Sequence, residues 1–463
     1  MKVIVRDGTL VTPDGLAIAS LVCEEGRISA VVRAGDALPR VDEVIDARGL
    51  LVFPGFIDPH IHSRDPGLTD KETFSHATRA AAAGGITCVF DMPNTMPPLS
   101  RAELVGGRAA THESSAYVDF GLWGIAVGAE NLADLPELIA AGVVGIKLFW
   151  GYAIDRRTGR LAYSLNDIAE ADMILPPDNA EVHAIFAAVA AADGLLAAHC
   201  EDRAFIVAGE RSLGRAPTHY DDLLRTHPTL AEAAAIALGV EFAAETRCRF
   251  HVVHVSSARG VEIVRRAQRS GAAVTAETCP HYLTLTSDSY ASVGPVMKIF
   301  PPIRRAEDCR ALWEGVLDGT ISSLGSDHAP HTADEKERSL DTAPAGFVGV
   351  ETIGPLMVAE MTAGRLSPQQ LAFVLSSGTA RRFRLHPRKG SLTPGSDADL
   401  TLVDPEARWT VRNEQLHSKH PLSPWHGREL VGRPRMTVLG GHVVMRDGEV
   451  HEVPRGRFVS PER

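Results

Sequence analysis

Long apolar runs are missing from this 463-residue sequence. None approaches the roughly 20 residues that a bilayer span needs, and the opening Met-Lys-Val-Ile-Val-Arg-Asp-Gly lacks the apolar core of a signal peptide. The expectation is a cytoplasmic protein with no membrane partner. Cysteine is sparse: the six, Cys23, Cys88, Cys200, Cys248, Cys279 and Cys309, show no C-x-x-C spacing. In a chain of this size that points to reduced, mostly packed thiols rather than a disulfide framework. Cys200 and Cys279 lie beside candidate site residues, but neither sits in a nucleophile motif. Positive charge is also short, with 47 basic against 58 acidic residues and a net charge of −11. Without a basic cluster interleaved with aromatics, nucleic acid is not an expected partner.

What is present is a long alternation of strand-like and helix-like segments. Strand candidates end near Asp58, Met92, Val127, Phe149, His199, Val255, Glu277 and Asp327, and helical patterns separate most of them, at 72–83, 132–141, 179–192, 231–246, 258–270 and 306–317. Eight strands with intervening helices is the count of an α/β, (β/α)8 TIM-like barrel, here assigned to 53–385. Residues 1–52 and 386–452 read as short strands and turns, and Val5-Arg6-Asp7-Gly8 is echoed by Met445-Arg446-Asp447-Gly448. Neither end makes a core alone, so the two are expected to pair as one small β-sandwich domain, followed by a loose tail at 453–463. Three connections, 151–178, 201–228 and 331–350, are too long for plain turns and are expected to shape or cover a pocket, the first as a lid flank.

The stretch Gly55-Phe-Ile-Asp-Pro-His-Ile-His-Ser-Arg-Asp-Pro-Gly67 follows the apolar run Leu50–Phe53 and reads as the mouth of a buried strand. In extended backbone, residues i and i+2 point the same way, so His60 and His62 can reach one metal ion. Further polar residues stand at later strand ends: Lys147, His199, His254 and Asp327. Six converging ligands exceed what one catalytic zinc uses, so two metals are implied. Lys147 is either half of a buried ion pair or, with its pKa lowered by burial and nearby positive charge, a neutral amine that adds carbon dioxide to become a bridging carbamate. Asp327 can serve both as ligand and as the general base that later protonates a leaving nitrogen. His251, three residues before His254, is expected to face away and pack behind the site. His281 and His328 are candidates to orient ligands.

These residues resemble the cyclic amidohydrolases: dihydroorotase, hydantoinase (dihydropyrimidinase) and allantoinase. The carrying motifs are Pro54 to Gly67, Asp91-Met-Pro-Asn-Thr95, Gly145-Ile-Lys-Leu-Phe149, His199-Cys-Glu201, His254-Val-Ser-Ser257, Glu277-Thr-Cys-Pro-His-Tyr282, Pro301-Pro-Ile-Arg304 and Ser326-Asp-His-Ala-Pro-His331. The resemblance implies a barrel with an attached β-sandwich, two Zn2+ per subunit bridged by a carboxylated Lys147 and hydroxide, hydrolysis of a small cyclic amide, and a homodimer or homotetramer. Arg64, Asn94 and His331 match the residues that hold the free carboxylate in dihydroorotases, which favours dihydroorotate and N-carbamoyl-aspartate as the reacting pair. Against this, Phe300 stands where dihydroorotases usually have asparagine, and many bacterial dihydroorotases have aspartate in place of Lys147. Tyr152, five residues after Lys147, matches the tyrosine that stabilises the oxyanion in hydantoinases, and Lys419 to Gly427 leans towards allantoinase. Hydantoinase or allantoinase activity is therefore the alternative, with Phe300 and Trp150 lining an apolar pocket. A non-catalytic scaffold would have lost ligands, whereas all six positions are filled.

Overall fold

The computed structural model describes residues 1–157, 160–162 and 172–462. Its centre is an eight-stranded parallel sheet: β1 (Phe56–Ile61), β2 (Ile86–Asp91), β3 (Asp119–Ala126), β4 (Gly145–Phe149), β5 (Leu195–His199), β6 (Arg249–Val252), β7 (Val274–Thr278) and β8 (Ile321–Leu324), neighbours in that order. Every residue of β1 and β2 is buried, as expected when helices cover one face and packed side chains the other. The barrel is nearly closed. At the seam between β8 and β1, His62 N donates to His328 O (2.7 Å) and Ser326 N to the Asp58 carboxylate (3.0 Å).

The expected helices form, with ends set by local chemistry. Thr73 caps Phe74–Ala83 by accepting from His76 N, and Asp178 caps Asn179–Ala191 in a reciprocal capping box with Glu181. The connection 201–228 is not a loop, because it folds into Arg203–Leu213 and Tyr220–Thr226, separated after Gly214 at φ 66°. Of the 151–178 connection, residues 158, 159 and 163–171 lie outside the described residues. The rest contributes three short strands, Ala153–Asp155, Leu161–Ala162 and Met173–Ile174, beside the barrel mouth.

Strands from both chain ends build one nine-stranded mixed sheet. In it Lys2–Thr12 runs parallel to Glu43–Asp46 and Leu51–Pro54, and Leu51–Pro54 pairs antiparallel with Leu400–Thr410. The echoed Asp-Gly pairs explain themselves, since Asp7 and Asp447 both adopt positive φ (56° and 55°) where strands break register or turn. The last residues are not loose. Arg455 and Gly456 donate to Ala116 O, Phe120 N donates to Arg457 O, and Val459 N donates to Phe120 O, so the segment runs parallel to the start of β3.

Candidate active site

Strand β1 delivers His60 and His62 to the C-terminal mouth of the barrel, their ring centroids 5.4 Å apart. Asp327 Oδ1 lies 3.3 Å from His60 Nε2 and 3.2 Å from His62 Nε2, and the three residues offer ligand atoms within 4.8 Å of one another. From the opposite side, His199 Nδ1 and His254 Nε2 approach to 3.0 Å, and the His254 ring stands 5.3 Å from that of His60. Lys147 reaches the same space, and all six residues line one cavity of about 480 Å³. Three wall residues sit in the left-handed region that non-glycine residues avoid: Arg64 (φ 63°), His254 (40°) and Asp327 (48°). At His254 and Asp327 the chain turns sharply just past a strand end, which aims the side chain inward. The sequence pays this local strain at the site.

Burial decides the protonation states here. It holds the His60 and His254 imidazoles well below their usual pKa and lowers His62 and His199, so all four present neutral lone pairs. Burial also pulls Lys147 down to about 8, against the opposing pull of Glu277 and Asp327. Among the described residues, Lys147 Nζ and His254 Nδ1 are buried without a hydrogen-bond partner. Neutral imidazoles, a carboxylate and an unpartnered buried amine form a donor set that suits divalent cations of the zinc class.

A ring of partners fixes the ligand orientations. Glu277 Oε1 lies 2.6 Å from His60 Nδ1 and its Oε2 3.2 Å from Nε2 of His251, which accordingly packs behind the site. Glu201 contacts His199 Nε2 (3.0 Å) and His227 Nδ1 (3.1 Å). His328 accepts from Gly349 N, and His281 is buried against Tyr282 and Phe347. Glu277, Glu201 and His227 were not singled out from the sequence, although the first two stand at strand ends inside the quoted motifs. His227 has no such local signal.

The expected substrate residues divide. Arg64 lines the cavity, its Nε donating to Pro330 O (3.1 Å). Asn94 also lines it, but its Oδ1 is 2.7 Å from His62 Nδ1, so its carbonyl orients a histidine. His331 is in the wall, with Nε2 2.9 Å from Ala345 O and Nδ1 3.0 Å from the Lys71 ammonium. Tyr152 OH is 3.1 Å from His199 Nε2. Phe300 faces the cavity and stacks on His227 (centroids 4.0 Å, 18°). Trp150 does not line the cavity, because it packs outward on Phe242.

A model of the Amidohydrolase family matches residues 51–444. An allantoinase of Rubrobacter xylanophilus is 39% identical over 99% of this chain and 98% of its own, and a dihydroorotase of Pelotomaculum thermopropionicum is 35% identical over 96% and 99%. The solved structure of an L-hydantoinase (dihydropyrimidinase) from Arthrobacter aurescens superposes with a TM-score of 0.91 at 32% identity, covering 99% of both chains.

Proposed function

The chain belongs to the amidohydrolase family and is a hydrolase acting on cyclic amides, and from that premise we propose that it opens and closes the ring amide of a dihydropyrimidine carrying an anionic group, in the manner of dihydroorotase. The observation that carries this reading is Arg64, a guanidinium in the wall of the cavity that the six-residue cluster closes. A guanidinium fork is suited to a carboxylate and offers little to an unsubstituted ring.

In this reading His60, His62, His199, His254, Asp327 and Lys147, the last as its carbamate, would hold two Zn2+ ions. When bound, such a pair supplies the Lewis acidity that makes water nucleophilic near neutral pH and polarises the scissile carbonyl. Asp327, between His60 and His62, takes the proton of the attacking water and returns it to the ring nitrogen as the C–N bond breaks. Tyr152, already hydrogen-bonding His199, donates to the oxygen that gains charge. Asn94 holds His62, and Arg64 sets the ring's orientation through its substituent. A cytoplasmic homodimer or homotetramer belongs to this reading on family resemblance alone.

The second reading is allantoinase, supported by the Rubrobacter relative. Arg64 would then meet the ureido oxygen of allantoin. Initial rates of the zinc- and bicarbonate-supplemented enzyme on L-dihydroorotate, dihydrouracil, hydantoin and allantoin decide between them. Preference for dihydroorotate is expected, and preference for allantoin or a neutral ring overturns the first reading.

A further inference from the structure

Lys71 lies seven residues beyond Arg64, and its ammonium reaches the wall of the same cavity. Its Nζ is 3.0 Å from His331 Nδ1 and 2.9 Å from Glu335 Oε1. An ammonium only donates, so His331 Nδ1 accepts and the ring proton sits on Nε2, where it points to Ala345 O at 2.9 Å. Arg64 Nη2 approaches that same Nε2 to 3.5 Å. Both ring nitrogens of His331 are therefore engaged, and burial keeps the ring neutral, with its pKa down at about 3. The imidazole separates two cations and has no proton left for a ligand. Two of the three Lys71 protons are placed, on His331 and Glu335, and the residue itself lines the cavity. The backbone around it is held from outside, since Lys419 N donates to the buried Glu72 carboxylate and the Lys419 ammonium to Thr69 O.

We propose that Lys71, with Arg64, is the cation that selects for an anionic ring substituent, and that Glu335 tunes it by sharing its charge, while His331 only positions the pair. This rests on the reading of an anionic substrate given above. Glu335 holds the ammonium in place, and an incoming carboxylate accepts a hydrogen bond from its remaining N–H without displacing Glu335. Removing the Glu335 charge strengthens the pull on an anion, and removing the Lys71 charge abolishes it.

The test is the ratio of kcat/KM for L-dihydroorotate to that for dihydrouracil, the same ring with and without the carboxylate, in zinc-loaded wild type, Lys71→Met, Lys71→Arg and Glu335→Gln. Lys71→Met should lower the ratio by about tenfold to a hundredfold through KM, as expected for a lost hydrogen bond to a charged group. Lys71→Arg should retain most of it, and Glu335→Gln, which keeps the cap on Ala333–Lys336, should lower KM for dihydroorotate. If Lys71→Met fails to fold, the opposite responses of the other two variants still decide. Equal losses on both substrates in Lys71→Met, or a Glu335→Gln variant that responds identically on both, overturn the role of Lys71 alone. A wild type that prefers dihydrouracil overturns the anionic-substrate reading, and the inference falls with it.

Discussion

Glu277 lies between two histidines, its carboxylate oxygens shared by His60 Nδ1 and His251 Nε2. A carboxylate in that position fixes the tautomer that leaves His60 Nε2 as a lone pair towards Asp327. Glu277→Ala should weaken zinc binding about tenfold to a hundredfold, measured by chelator competition, while the far-UV circular dichroism stays unchanged. On the substrate side, Arg64→Met should cost at least about 2 kcal/mol in transition-state binding of dihydroorotate and barely change a neutral hydantoin. Equal losses in steady-state kinetics would make Arg64 structural. The six clustered residues could be picked from the sequence because each stands at a strand end, and strand ends of a barrel converge whatever the loops do. Glu277 and Glu201 could not be assigned, since which histidine a buried carboxylate meets depends on neighbouring strands' register. Lys71 was equally illegible, being seven loop residues from Arg64 with nothing local to aim it.

Between β8 and the helix Ile353–Thr362, the connection 331–350 is held by two buried lysines. Lys298 Nζ donates to Leu340 O and Asp341 O, and Lys336 Nζ to Pro344 O and Lys298 O. Burial lowers Lys298 to about 8 and Lys336 to about 7; Lys298 adds repulsion to Lys336, while Asp341 and Glu335 pull the other way. An unfolded lysine keeps its proton up to about pH 10.4, so between about pH 7 and that value the unfolded chain binds more protons and raising the pH favours the folded state. Below pH 7 the burial penalty is present in full. Wild type should therefore gain Tm relative to Lys336→Met as pH rises from 7 to 9.5. A gap that does not move with pH would show that Lys336 keeps its proton in the folded state, its pKa not lowered by burial. A long connection with cavity-facing residues was legible from its length, and its two ammonium struts were not. Periodicity likewise missed the helix Glu103–Glu113, whose Gly106-Gly107 interior weakens the helical signal.

The barrel, the nine-stranded sheet and the C-terminal segment meet at Lys389. Its ammonium, 2% exposed, donates to Asp119 on β3 (2.6 Å) and to Asp397 and Asp399 (3.1 and 2.5 Å) ahead of Leu400–Thr410. Asp119 in turn accepts from Arg457 N. Burial disfavours the charge on Lys389, but the three carboxylates outweigh it and raise its pKa, while burial lifts Asp399 to about 6. Lys389→Met leaves three carboxylates facing one another and should destabilise the protein by about 3 kcal/mol or more. Protonating Asp399 relieves part of that, so the Tm deficit should shrink between pH 8 and pH 5.5. That the two ends of the chain share a sheet was legible, because neither supplies enough apolar residues alone. The docking of the last residues was not, since their hydrogen bonds are made by backbone, which leaves no trace in side-chain pattern.

Leu51–Pro54 leads straight into β1, yet its sheet partner, Leu400–Thr410, lies some 350 residues further on, and Gly55 N donates to Asp399 O. During synthesis the first strands therefore leave the ribosome on the order of tens of seconds before their neighbour exists. That edge of Leu51–Pro54 has no partner until then, although all eight barrel strands, the last ending at Leu324, are made before it. Order of manufacture and order of completion are opposed in this sheet: the strands made first wait for partners made after the whole barrel.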